Sequence, residues 1–462
     1  MIKISIPAAL IAAASIVSQT ANAEAILHAF NWEYSEVAEK ANEIAELGYK
    51  KVLVSPAYKS SGNEWWARYQ PQDYRIIDNP LGNTADFKHM VKALQMAGVE
   101  TYADIVFNHM ANEAHKRNDL NYPGTEVLQS YSNEGVDGLV LFGNINQNLF
   151  QSADFRPAQC IYNYTSVWDV QHYRLCGAAP DVGLPDLDEN DWVISQQKTY
   201  LKMLKDIGVT GFRVDAAKHM TISHINKVFT QEIKQGTHVF GEIITTGGSD
   251  NIDYQNFLGP YLHYTDHSAY DFPLFNQMHK VLRFGGSMSH LVDPGAYGQA
   301  LDGNRSITFS VTHDVPLNDG FRHQIFNEKD EQLAMAYVMG RDGGVPLIYS
   351  DHNESSDNGR WQDLYKRDDI QGMLKFHNGT QGSGMKVLNH DDCFILFKRE
   401  HKGVVGLNKC EQGRDVWVNT AVDNLYWHRN YRDTLSNDVQ NISSQWHKFY
   451  IPGRSARMWL ME

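Results

Sequence analysis

Positive charge is scarce in this chain. Its 41 lysines and arginines face 55 aspartates and glutamates, a formal net charge of -14. A nucleic-acid surface needs a basic face, because phosphate neutralisation supplies most of the affinity, so no nucleic-acid partner is expected. Cysteine is rare too. The four cysteines include no Cys-x-x-Cys pair, which leaves no zinc site built on thiolates. Beyond its first residues the chain has no long apolar run, and a membrane-spanning helix needs ~20 apolar residues; no membrane partner is expected. Internal repeats and low-complexity segments are also missing, which excludes a repeat array.

What is present is ordinary for a soluble globular protein. Of 462 residues, 42% are hydrophobic and 21% charged, and this length calls for two or three domains. The N-terminus reads as a secretory leader. Lys3 precedes an apolar stretch from Ile4 to Val17, and Ala21-Asn22-Ala23 fits the small-x-small cleavage rule. The expected mature chain starts at Glu24 after a cut behind Ala23, and the expected destination is periplasmic or extracellular. An oxidising compartment favours two local disulfides, Cys160 with Cys176 and Cys393 with Cys410, although four cysteines allow three pairings.

Short apolar runs alternate with amphipathic helical stretches. Strands are predicted at Ala25 to Phe30, Lys51 to Pro56, Thr101 to Phe107, Gly211 to Ala216, Val239 to Ile243, Ala269 to Phe272, Ser306 to Thr312 and Val345 to Ser350. Helices are predicted at Ser35 to Leu47, Thr84 to Ala97, Asp191 to Ile207 and Glu331 to Met339. Such alternation implies a parallel sheet, and eight units imply a (β/α)8 TIM barrel of the α/β class. One connection is far too long for a barrel loop. Residues 110-188 are polar, rich in Asn, Gly and Tyr, and read as an inserted domain after strand three. From residue 382 helical periodicity gives way to short alternating strands. The expected division is a leader at 1-23, a barrel at 24-109 and 189-381, the insert at 110-188, and an all-β sandwich at 382-462.

Barrel enzymes carry their chemistry at the C-terminal ends of the strands. Strand three runs into Asp104-Ile105-Val106-Phe107-Asn108-His109, and strand four carries Arg213-Val214-Asp215-Ala216-Ala217-Lys218-His219. Strand five ends in Gly241-Glu242-Ile243, and strand seven in Val311-Thr312-His313-Asp314. Asp215, Glu242 and Asp314 are thus placed to converge. Residues i and i+2 of a strand share a face, so Arg213 and Asp215 point together. The guanidinium favours an ionised Asp215, as a nucleophile requires, while burial among carboxylates raises Glu242, as a general acid requires. A retaining glycosidase needs such a pair. A single carboxylate would read as a structural ion pair, but four strand ends in register do not. A zinc triad of His109, His219 and His313 is disfavoured, because carboxylates dominate the strand ends.

These four segments resemble, in order and spacing, the signature segments of the alpha-amylase family, glycoside hydrolase family 13. The likeness spans nearly all of the chain after the leader, and the insert resembles that family's domain B. The resemblance implies Asp215 as nucleophile, Glu242 as general acid and base, and Asp314 as the residue holding substrate hydroxyls. It implies that Arg213 keeps the nucleophile ionised, that His109 and His313 contact the sugar at the cleavage point, and that Lys218 and His219 serve the leaving-group side. The stretch Trp65-Trp66-Ala67-Arg68-Tyr69-Gln70-Pro71 resembles a further family segment, in which Tyr69 and Trp66 would stack on sugars and Gln70 would bind a hydroxyl. Trp65 is assigned to the core. Asn108, Asp186 and the carbonyls of His219 and Gln171 resemble ligands of a calcium ion, Ca2+. An N-terminal helix cap is the alternative role for Asp186. The implied function is retaining endo-hydrolysis of alpha-1,4 bonds in starch, amylose and malto-oligosaccharides by a monomer. A maltooligosaccharide-forming hydrolase or transglycosylase of the same family is the alternative. No chloride site is expected, since Thr312 and Pro346 stand where chloride-activated members carry ligands.

Overall fold

The computed structural model describes residues 24-352 and 357-462; the leader expected at 1-23, with its cut after Ala23, lies outside the described residues. Eight strands close into a parallel barrel. They are β1 (Ile26–Ala29), β2 (Lys51–Val54), β3 (Glu100–Val106), β4 (Val209–Asp215), β5 (His238–Gly241), β6 (Ser268–Tyr270), β7 (Ser306–Thr308) and β8 (Val345–Ser350). Each pairs with its sequence neighbours, and β1 pairs with β8 to shut the ring, Ile26 opposite Leu347. The strands are short and apolar because both faces are covered, one by side chains filling the barrel and one by helices.

The helices start and stop where the sequence provides caps. Helix α1 (Thr84–Met96) opens on Asn83, whose side chain accepts from Ala85 N at 2.7 Å, while Asp86 reaches back to Asn83 N at 2.9 Å. Helix α2 (Asp191–Ile207) opens on Asn190 and stops at Gly208, whose φ of 119° is costly for a residue with a Cβ. Its buried face is Val193, Gln197, Tyr200, Leu201 and Leu204, the spacing of one helical stripe. Asp186 is therefore not the cap of this helix.

Two elements differ from expectation. The helix predicted over Ser35 to Leu47 is two short helices, Tyr34–Glu39 and Ala41–Glu46, meeting at Lys40. Tyr34, Val37, Ala41 and Ile44 are buried on both sides of the break, so the apolar period runs through it unchanged. Strand β7 ends at Thr308, and the expected continuation to Thr312 leaves the ladder. Residues 309-312 are nonetheless buried, and this burial mimics a strand in the sequence.

Between β3 and α2 the chain folds away from the barrel and returns. Its two ends lie side by side: Met110 N donates to Pro185 O at 3.0 Å and Leu187 N to Asn108 O at 2.9 Å. Cys160 and Cys176 are bonded within it, their Cα atoms 5.7 Å apart. A small core of Ile76, Tyr131, Val136 and Ile145 supports it.

After α3 (Glu328–Gly340) and α4 (Asp368–Gly379) the chain becomes all-β. Its strands are β9 (Met385–His390), β10 (Phe394–Arg399), β11 (Gly403–Asn408), β12 (Arg414–Asn419), β13 (Arg429–Asp433), β14 (Val439–Ile442), β15 (Trp446–Ile451) and β16 (Ser455–Met461). Six form a sheet in the order β9-β10-β11-β16-β13-β14, and β12 with β15 forms a separate two-stranded ribbon. One face of the sheet, with Phe397, Val405 and Met458, joins the barrel core. The other, with Leu396, Val404 and Trp459, packs on Val416, Val418, Phe449 and Ile451 of the ribbon. The result is a sandwich whose ribbon lies on the far side of the sheet from the barrel. Cys393 and Cys410 flank the β10–β11 hairpin and are bonded, with Cα atoms 5.2 Å apart.

Candidate active site

Strand alternation carries Arg213 and Asp215 onto one face of β4, and the β3 register sets Asp104 directly opposite Arg213. Arg213 is fully buried. Its Nη1 donates to Asp104 Oδ2 at 2.7 Å and to Asp215 Oδ1 at 2.8 Å, and its Nη2 donates to Glu242 Oε1. Glu242 stands one residue past β5, and its other oxygen accepts the Ala216 N–H at 3.2 Å. Ala216 holds a φ of 47°, a left-handed conformation stored directly beside Asp215. Asp314, at the end of the β7 segment, adds a fourth carboxylate to the Asp215–Glu242 neighbourhood.

One guanidinium thus serves three carboxylates, with a fourth close by. Burial pushes Asp104 up to about 8 and Asp215 up to about 7, and raises Glu242, while Arg213 pulls each of them down. Arg213 is the partner expected to hold Asp215 ionised; here its charge is divided among these carboxylates, and desolvation opposes its effect. Burial lowers His109 to about 4 and His313 and His219 to about 3, so all three are neutral in the working range.

The aromatic wall is held from two sides. The Tyr69 ring stacks on His313 with centroids 5.2 Å apart and planes 6° apart, and its hydroxyl donates to Asp104 Oδ2 at 3.0 Å. His109 Nε2 lies 3.0 Å from Tyr69 O, which fixes the proton on that nitrogen, since a carbonyl only accepts. Gln70 Oε1 accepts from Asn112 N at 2.9 Å. Trp66 stands at the rim, 46% exposed. Lys218 Nζ reaches Asp253 at 2.9 Å.

These residues line a cleft of about 660 Å³, within the usual range for ligand sites. Trp66, Tyr69, Gln70, His109, Asp215, Lys218, His219, Glu242, His313 and Asp314 all face it, and Arg213 lies beneath. Trp65 also lines it while packing 6.1 Å from Phe30, so its core assignment was half of its role. Sequence reasoning missed Tyr164, Leu175 and Leu184 from the insert and Asp253, Asn318 and Phe321 from barrel loops. Only the Tyr-rich composition of the insert hinted at Tyr164. A second cavity, about 700 Å³, lies between the insert and the Lys59–Asn63 segment. Several of its charges are paired, Arg117 with Glu113 at 2.6 Å for example, and it holds none of the strand-end carboxylates. The chemistry belongs to the first.

Among the described residues no cluster of three or more His, Cys, Asp or Glu side chains is arranged to hold a metal. A site of amide and carbonyl oxygens is a different case. Asp186 is buried, its Oδ2 has no hydrogen-bond partner, and burial holds its carboxyl well above the usual range. Its neighbours are Asn108, whose carbonyl accepts from Leu187 N, and Arg156, whose Nε lies 3.4 Å from Oδ2. Arg156 Nη1 also donates to Gln171 O at 2.8 Å, and His219 Nδ1 lies 3.1 Å from Val170 O, beside Gln171. Asn108, Gln171, Asp186 and His219 therefore gather in one place, around a buried carboxylate whose Oδ2 makes no hydrogen bond and whose charged neighbour is Arg156. The carboxylate, amide and carbonyl oxygens of these residues are the donor types that a hard cation takes. The His-x-x-x-His pair His263 and His267 is no metal pair: His267 is buried with Nδ1 at 3.1 Å from Tyr261 Oη.

Comparison with known proteins agrees with this geometry. The family model described as alpha-amylase, catalytic domain, matches residues 33–282. The chain is 56% identical over 447 residues to an alpha-amylase of Aeromonas hydrophila, covering 96% of both chains. It is 25% identical over 476 residues to an alpha-amylase-related protein of Drosophila pseudoobscura pseudoobscura, covering 93% of this chain and 89% of the other. Among solved structures, a mutant alpha-amylase I of Eisenia fetida in complex with maltohexaose superposes with a TM-score of 0.75 at 19% identity, covering 95% of this chain and 97% of that one. An alpha-amylase of Geobacillus thermoleovorans complexed with acarbose gives 0.70 at 19% identity, covering 96% and 98%.

Proposed function

The chain belongs to the alpha-amylase family, and from that premise we propose that it is a secreted endo-acting hydrolase of starch, amylose and malto-oligosaccharides. The observation that carries this reading is the set of carboxylates gathered by Arg213 at the floor of an aromatic-walled cleft. The ligands named with the Eisenia and Geobacillus enzymes, maltohexaose and acarbose, support glucan chemistry for this cleft as well.

In this reading the reaction is a double displacement at an alpha-1,4 bond. Asp215 attacks the anomeric carbon while Glu242 gives its proton to the leaving glycosidic oxygen. The carbon–oxygen bond breaks and a glycosyl ester on Asp215 forms. Glu242, now ionised, takes a proton from water, and the water oxygen displaces Asp215, so that configuration is retained. The Ala216 N–H and Arg213 hold Glu242 in place through both steps. Arg213 also steadies the carboxylate that Asp215 becomes again on release. Asp314 accepts from substrate hydroxyls. His313 donates a hydrogen bond to the sugar, His109 contacts it with its one proton already given to Tyr69 O, and Tyr69 and Trp66 give it apolar faces. Gln70, Lys218 and His219 bind hydroxyls further along the cleft.

Residues 24-109 and 189-381 form the catalytic unit in this proposal, with 110-188 as an accessory insert and 382-462 as a sandwich. Asn108, Asp186 and the carbonyls of Gln171 and His219 would hold calcium, which when bound would neutralise the Asp186 charge and tie the insert to the barrel. Both disulfides support an oxidising destination.

Incubation with amylose, pullulan and cyclodextrins, followed by chain-length analysis, tests the reading. Amylose should fall early to a spread of malto-oligosaccharides, and pullulan should be cut far more slowly. Release of a single small sugar from the outset would mean attack from chain ends.

A further inference from the structure

The β12–β15 ribbon has an outer face that contributes nothing to a core. Its inner residues, Val416, Val418, Phe449 and Ile451, are buried against the six-stranded sheet. The alternate positions carry Trp417, Trp446 and Tyr450, which are 59%, 56% and 50% exposed. The register places Trp417 opposite Lys448, with Trp446 and Tyr450 on its two diagonals, so the three rings form one stripe across both strands. Gly413 helps to lay one of them flat. A Cβ at that position would lie 2.4 Å from Tyr450 Oη and 2.8 Å from two ring carbons. The glycine lets the tyrosine ring lie down on the ribbon with its outer side in solvent.

Among the described residues, the three rings stack on no other ring, and neither indole N–H nor the phenol finds a protein partner. Between them, Asp415 and Lys448 pair at 3.1 Å and cancel. The face is therefore flat, aromatic, neutral and edged with free hydrogen-bonding groups. Sugar rings match it, having C–H faces that lie on aromatic rings and hydroxyl edges that reach polar groups. Its size excludes a stable protein partner. Six residues per strand give a strip of roughly 20 by 10 Å, about a quarter of the ~800 Å² per side that such an interface buries. Its neutrality gives no hold on phosphate.

We propose that this stripe is a second alpha-glucan-binding site, which anchors the enzyme to polymeric substrate. The proposal rests on the glucan reading of the cleft. Because the ribbon lies beyond the sheet from the barrel, the stripe acts separately from the cleft. It affects large or insoluble substrates and leaves short ones alone.

The test compares the wild type with Trp417→Ala/Trp446→Ala and Trp417→Phe/Trp446→Phe. Adsorption to starch granules and retardation in amylopectin-containing native gels are measured beside maltoheptaose hydrolysis. Removal of two stacking rings should weaken granule adsorption by about tenfold or more. Turnover of maltoheptaose should be unchanged, and the Phe pair should keep most of the adsorption. Equal adsorption by the wild type and the Ala pair overturns the proposal. So does a Phe pair as weak as the Ala pair, which would mean that stacking faces are not what binds. A wild type that sediments as a dimer, with a monomeric Ala pair, would assign the stripe to a second copy instead. Failure of the wild type to cut either amylose or maltoheptaose would remove the glucan reading itself. Normal cutting with unchanged adsorption removes only the stripe.

Discussion

Replacing Asp215 by asparagine should abolish activity and yet make the protein more stable. Burial raises this carboxyl from 3.8 to about 7, roughly three units at ~1.4 kcal/mol each. Keeping Asp215 ionised at pH 8 therefore costs the fold on the order of 4 kcal/mol. Asparagine removes that charge and can still accept from Arg213 Nη1. The Arg213 contact is already part of that net shift, so nothing further is subtracted, and the melting temperature should rise by several degrees in a chain of this size. The sign with pH follows from the direction of the shift. Since the folded pKa lies above the unfolded one, the native state binds more protons than the unfolded state between roughly pH 4 and 7. Wild-type stability thus falls as pH rises through that window, and the full penalty is present above it. The advantage of Asp215→Asn should be largest at pH 8 and shrink towards pH 4. Scanning calorimetry of both proteins across this range measures it, with starch hydrolysis assayed in parallel. A variant that is no more stable at pH 8, or a difference independent of pH, would refute the electrostatic account. Near-normal turnover would refute the nucleophile.

Four further outcomes are expected. Glu242→Gln should lose at least ~10²–10⁴-fold in turnover, the usual worth of a general acid, and a mild loss would remove Glu242 from that role. Proton NMR of the first products should show the alpha anomer before mutarotation; early beta anomer would replace double displacement with direct inversion. Chelation should lower the melting temperature and calcium should restore it, because the ion binds only the folded state; if excess chelator leaves the melting temperature unchanged and metal analysis finds no calcium, Asp186 is not a ligand. Chloride should not activate the enzyme beyond nitrate or sulfate controls, because Arg213 already faces three carboxylates and Pro346 adds no charge; activation peculiar to chloride would contradict this.

The barrel and its strand ends were legible because local rules govern them. Apolar runs and helical stripes alternate along the chain, and an i, i+2 spacing is enough to set Arg213 beside Asp215. Partners remote in sequence were not legible. Asp104 stood in view at the end of strand three, yet nothing local says that it shares Arg213 with Asp215 and Glu242. That bond spans 109 positions and depends on the β3–β4 register. Arg156 was invisible for the same reason, since its guanidinium meets Asp186 and Gln171 O only after the insert folds back. Strand β7 was overread because buried irregular backbone and buried strand have the same composition. The aromatic stripe was not legible either, because exposure depends on which face of the ribbon meets the sheet.

The ring closure of the barrel has a consequence for biosynthesis. β1 is flanked by β2 on one side and by β8 on the other, and its β8 partners, such as Leu347, are made more than three hundred residues later. Until then the growing chain has two unpaired parallel edges and cannot close. Early segments can collapse, but the cooperative native structure waits for most of the polypeptide to be synthesised. Under the proposed export, that delay is an advantage, since the chain stays threadable while it is being handed over. The same topology makes premature termination before β8 severe: the product would be an open sheet with exposed edges, a substrate for aggregation and proteolysis rather than a smaller enzyme.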